Sequence, residues 1–73
     1  MNYKINMLLE ENIEECTKLY TNVFNGEPWN DGWEESDAKE RLTDIFNNRK
    51  FLGIGIYDEE QKLIGFLLGY RAI

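Results

Sequence analysis

Histidine is absent from this 73-residue sequence, and cysteine and proline occur once each, at Cys16 and Pro28. A single cysteine makes no internal disulfide, so the staple on which small secreted domains depend is missing. Without histidine the usual zinc ligand sets cannot form, and a Cys–His nucleophile is ruled out. Long apolar runs are lacking too: none approaches the roughly 20 residues of a membrane span. The start, Met1-Asn2-Tyr3-Lys4, leads into a short mixed run rather than the apolar stretch of a signal peptide. These absences exclude zinc sites of the Cys/His kind and a membrane span, no metal site is expected, and the cytoplasm is left as the default compartment. Cations are scarce in the middle of the chain. Between Glu10 and Asp44 eleven acids meet only Lys18, Lys39 and Arg41, a local charge of −8 within an overall −6. Such a surface repels phosphates, which excludes nucleic acid as a partner. The acids either solvate two helix faces or attract a cationic substrate such as an amine.

Apolar residues make up 42% of the chain and aromatics 14%, enough for a packed unit rather than a disordered one. The length, residues 1–73, allows one small domain. Such a domain buries only about 60% of its unfolded surface, so its core is marginal unless something else covers it.

Residues 3–8 alternate, with Tyr3, Ile5 and Met7 on one side and Lys4 and Asn6 on the other, and predict a short strand. Glu10 and Glu11 then stand where a helix N-terminus favours acid. Ile13, Cys16, Leu19, Tyr20, Val23 and Phe24 recur at three- and four-residue steps, predicting a helix over 11–24. The segment Asn25-Gly26-Glu27-Pro28-Trp29-Asn30-Asp31-Gly32 breaks that period with turn residues. A second helix over 35–48 carries Ala38, Leu42, Ile45 and Phe46 on its apolar side. Glu14–Lys18, Glu35–Lys39 and Asp37–Arg41 are acid-first pairs four apart, the favourable order along a helix. Two apolar runs, 51–57 and 62–70, flank the polar turn Asp58-Glu59-Glu60-Gln61 and read as a hairpin buried on both sides.

The expected fold class is therefore α+β, in the order β-α-α-β-β, with a three-stranded antiparallel sheet and two helices. That arrangement is short of material. Two helices cover one face of such a sheet, or divide thinly between two, and the last strand is left with an open edge. Either more chain follows or another molecule supplies the cover.

This order, with the loop Asn25-Gly26-Glu27-Pro28-Trp29-Asn30-Asp31-Gly32-Trp33 and the strand Leu63-Ile64-Gly65-Phe66-Leu67-Leu68-Gly69-Tyr70, resembles the N-terminal half of the GNAT family of N-acetyltransferases. The resemblance covers essentially the whole chain. It implies transfer of an acetyl group from acetyl-coenzyme A to an amine. In the family the cofactor pyrophosphate is held by a Gln/Arg-x-x-Gly-x-Gly/Ala loop, whose backbone N–H groups and helix dipole face the phosphates. The six glycines here, Gly26, Gly32, Gly53, Gly55, Gly65 and Gly69, form no such loop. The expectation is a chain that is catalytically incomplete, with no catalytic and no cofactor-binding residue of its own.

In that family the loop between the helices borders the acceptor pocket. Glu27, Trp29 and Trp33 are therefore the candidate substrate-binding residues, able to hold a cation by ion pairing and cation–π contact. The alternative reading makes Trp29 and Trp33 plugs for the helix–helix junction, as large aromatics commonly are. Tyr57 and Tyr70 end the hairpin strands, where a packing role with a wet hydroxyl is the ordinary one. Cys16 sits on the apolar side of the first helix as a small core residue. Glu14-Glu15 and Glu34-Glu35 are neighbours that point apart on a helix and read as solvated faces. Two functions remain open. One is the front part of an amine acetyltransferase. The other is a non-catalytic module that pairs with a partner, or with a second copy in a homo-oligomer, through the terminal hairpin.

Overall fold

The computed structural model describes residues 2–71. Met1, Ala72 and Ile73, the ends of the expected 1–73 domain, lie outside the described residues. The elements follow the expected order: β1 (Lys4–Met7), a 3-10 turn (Glu10–Asn12), α1 (Ile13–Asn25), α2 (Glu35–Phe46), β2 (Phe51–Tyr57) and β3 (Leu63–Tyr70). The fold is a small α+β domain with a three-stranded antiparallel sheet in the order β1-β2-β3.

The first helix opens with a 3-10 turn rather than at residue 11. The Asn12 side-chain oxygen accepts a hydrogen bond from the Leu9 amide at 2.9 Å, which holds the chain in a tight turn before α1 begins. The second helix ends two residues early, at Phe46, because Asn47 and Asn48 turn the chain into β2. Between the hairpin strands, one Asp58 side-chain oxygen accepts from the Glu60 and Lys62 amides at 2.9 Å each, and Gln61 takes a positive φ of 63°. An aspartate opening the turn serves it as a local acceptor.

Packing corrects the reading of the hairpin as buried on both sides. In β2 burial alternates strictly: Gly53, Gly55 and Tyr57 are buried while Leu52, Ile54 and Ile56 are exposed. Both helices lie on the side of the sheet that holds Tyr57 and Leu63. There the core gathers Leu8, Cys16 from α1, Leu42 from α2, Tyr57 and Leu63, with Leu19, Tyr20, Ile45, Phe46, Phe66 and Leu68 packed around it. Thr17 is fully buried as well, its hydroxyl donating to the Ile13 carbonyl at 2.8 Å. The core is close-fitting at the sheet. A Cβ built at Gly55 would stand 2.8 Å from Leu8 Cδ2 and 2.9 Å from Leu63 Cδ1.

The opposite face is bare. Strand register sets it out in rows: Ile5 beside Ile56 and Gly65, Met7 beside Ile54 and Leu67, Leu52 beside Gly69. Every side chain in those rows is apolar and exposed, from 38% at Ile54 to 68% at Ile5 and Leu67. β3 pairs with β2 alone among the described residues, so its outer edge is open.

The acid-first pairs do not form either. Among the described residues the one ion pair is Glu14 with Lys39, at 3.0 Å, and it ties α1 to α2 across the helix pair. Lys39 thereby holds the Glu14 carboxyl below its ordinary range. Both groups are well exposed, so the pair orients the helices more than it stabilises them.

Candidate functional site

The loop carrying Glu27, Trp29 and Trp33 is built around α1's last turn. Asn25 ends the helix, and its side chain clamps the far end of the loop. The amide nitrogen donates to the Trp33 carbonyl at 2.9 Å, and the amide oxygen accepts from the Trp33 N–H at 2.6 Å. Inside that clamp the Asn30 amide reaches the Gly26 carbonyl at 2.9 Å and the Asp31 amide reaches the Phe24 carbonyl at 2.8 Å. Glu27–Pro28 is a cis peptide, and Asn30 and Gly32 both take positive φ. Asparagine and glycine are the residues that accept that conformation at least cost, which is why this stretch folds as a compact loop.

The tryptophans end up stacked on α1. Trp33 meets Tyr20 edge-on with centroids 5.3 Å apart, and Trp29 meets Phe24 at 5.4 Å. Tyr20 and Phe24 in turn lie 4.8 Å apart, so four aromatic rings run in sequence along the end of α1. Trp33 is half-buried, whereas Trp29 is 53% exposed and Glu27 is exposed. The loop thus presents an indole face and a carboxylate to solvent, backed by rings that fix the indole's position. Beside this ladder an open groove of about 340 Å³ runs between α1 and β3, lined by Leu19, Tyr20, Val23, Phe24, Ile64, Gly65 and Phe66. Tyr20 is the one lining residue whose side chain carries a polar group. Glu27, Trp29 and Trp33 are not among the residues that line the groove.

A second constellation was not legible as a pair. Glu15 is half-buried, not solvated, and one of its oxygens accepts from the Tyr57 hydroxyl and from the Asn12 side-chain amide, both at 2.8 Å. Tyr57 therefore ends in a carboxylate hydrogen bond rather than in water. Burial first, and then the bond to Glu15, push its phenol up to about 12. Lys4, Asn6 and Gln61 complete a polar recess of about 300 Å³ around the two. The residues lie 42 positions apart, and no local spacing signals their meeting. Tyr70, by contrast, is 58% exposed at the sheet margin. Cys16 is fully buried, and burial pushes its thiol up to about 11, which removes it as a nucleophile at neutral pH.

Among the described residues no group of three carboxylate or thiol side chains converges as a metal site, and no helix is long and apolar enough to cross a membrane. Compared with known proteins, the chain matches no family model, no curated protein and no solved structure.

Proposed function

We propose that this chain is the N-terminal part of an acetyl-coenzyme A-dependent N-acetyltransferase of the GNAT type, acting on an amine and catalytically incomplete by itself. The observation that carries the reading is the two-sidedness of the sheet. One face is sealed by both helices while the other is apolar and bare, and β3 has a free edge on which a further strand can pair. A half-fold has this form when its remaining strands and helix belong on the open side. The strand and helix order supports the same reading, as does the 25–33 loop with Glu27, Trp29 and Trp33 at the end of α1. In the completed fold Glu27 would pair with the amine and the Trp29 indole would lie against it, while acetyl-coenzyme A would be held by residues outside these 73. A lone, buried thiol suits the reducing cytoplasm in which we place the protein.

Two measurements test this. The coding sequence adjoining that of Ile73 is expected to encode a Gln/Arg-x-x-Gly-x-Gly/Ala segment. Its absence from all three frames removes the acyltransferase reading. Calorimetry of the 73-residue chain with acetyl-coenzyme A is expected to show no heat of binding, and tight binding would overturn the claim that the cofactor site lies elsewhere. For the amine, titration of the indole N–H resonances distinguishes the candidates. A primary amine should move Trp29 more than the isosteric alcohol does, and equal shifts would exclude a cation site.

A further inference from the structure

The bare sheet face has the shape and the charge pattern of a self-complementary surface, and we propose that the chain forms a two-fold dimer by stacking this face on that of a second copy. The inference starts from the same bare face as the acyltransferase reading and gives it a different occupant, since it concerns what these 73 residues do by themselves with their exposed apolar surface.

Area comes first. Ile5, Met7, Leu52, Ile54, Ile56 and Leu67 are between 38% and 68% exposed. Together they offer on the order of 600–700 Å² of apolar surface, against roughly 800 Å² per partner in a stable interface. None of these positions carries a charge that stacking would strand.

The relief of the face is the second argument. Leu67 stands proud in the middle of β3, and the residues two before and two after it are Gly65 and Gly69. A Cβ built at either glycine meets nothing within 4 Å, so each leaves a notch beside the leucine. The notch at Gly69 opens into a recess of about 150 Å³ walled by Leu52, Ile54 and Leu67, room enough for an isobutyl group. A knob flanked by its own notches is what an isologous interface requires, because a two-fold axis then places each copy's Leu67 in the other's recess.

Charge decides between modes of pairing. The segment of charge −8 lies in the helix layer and its connections, on the far side of the sheet from the bare face. Stacking face to face sets the two acidic layers at opposite outsides, roughly 30 Å apart, about three Debye lengths at 0.1 M salt. Pairing through the open edges of β3 would instead bring the helix layers side by side and leave both apolar faces in water. Face-to-face stacking is favoured on both counts.

Sedimentation equilibrium of the full 73-residue chain, from about 1 to 200 μM, should show a monomer–dimer equilibrium with a micromolar dissociation constant. Leu67→Lys should leave a monomer. Gly69→Ala sets in the notch a Cβ that meets nothing within 4 Å in its own chain, so circular dichroism should be unchanged while association weakens about tenfold or more. A monomer over the whole range overturns the proposal and leaves the face to a different polypeptide. Open-ended oligomers without a dimer overturn the two-fold, and a dimer indifferent to both substitutions overturns the assignment of the face.

Discussion

The same substitution made at two glycines of the hairpin should have opposite effects on stability. Gly55 and Gly65 lie on neighbouring antiparallel strands, and both are replaced by alanine. At Gly55 the added methyl would stand 2.8 Å from Leu8, 2.9 Å from Leu63 and 3.1 Å from the Tyr57 ring. Leu8 and Leu63 are only 3% and 5% exposed, so neither can swing aside into solvent. Overpacking of this kind costs about 1–3 kcal/mol. The lower chain entropy of unfolded alanine returns about 0.5–1 kcal/mol, leaving a net loss of up to about 2.5 kcal/mol. At Gly65 the methyl meets nothing within 4 Å and the backbone is not left-handed. Only the entropic gain operates there, so Gly65→Ala should stabilise by about 0.5 kcal/mol. For a domain of this size each kcal/mol moves Tm by about 4–8 °C, so the two variants should fall on either side of the parent by a measurable margin. Urea unfolding in a Leu67→Lys background, which should be monomeric, is the assay. Equal effects at the two sites, or a stabilised Gly55→Ala, would refute the claim that the helices seal one face and leave the other open.

Three further outcomes follow from the same geometry. Tyr57→Phe should cost about 1.5–3 kcal/mol in urea unfolding, the value of a hydrogen bond to a charged group. In a Glu15→Gln background the loss should shrink, and the full loss there would refute the coupling. Asn25→Ala should free the 25–33 loop for about 1 kcal/mol and shift Trp33 emission to the red, whereas an unchanged spectrum would deny that the clamp seats the indole. Alkaline pH should unfold the chain early. Cys16 rises from 9.0 to about 11 on folding and Tyr57 from 10.0 to about 12, so the stability each gives is whole below its unfolded value. It is lost as pH climbs through the folded one. Unfolding free energy that stays flat between pH 9 and 12 would contradict both burials.

The candidate site was legible in part. Turn chemistry in Asn25–Gly32 located the loop, because asparagine, glycine and proline restrict the backbone wherever they occur. Trp33 packs on Tyr20, while Trp29 leans on Phe24 and keeps half its surface outside. The Glu15–Tyr57 bond was hidden because adjacent glutamates on a helix carry no mark of which one a distant strand will approach.

The sequence alone determined the kinds of elements and their order. A 3.6-residue period over Ile13–Phe24, turn residues after it, and two apolar runs about Asp58–Gln61 are local signals, and local signals decide helix, turn and strand. What only the tertiary structure decided was sidedness. With Ile54 and Ile56 on one side of β2 and Gly53, Gly55 and Tyr57 on the other, neither face is polar, so alternation could not say which would be covered. That choice fell to the helices, which meet one another through Glu14 and Lys39 rather than pairing within themselves. They pack as a unit on the glycine side, where the missing side chains let Leu8 and Leu63 come close.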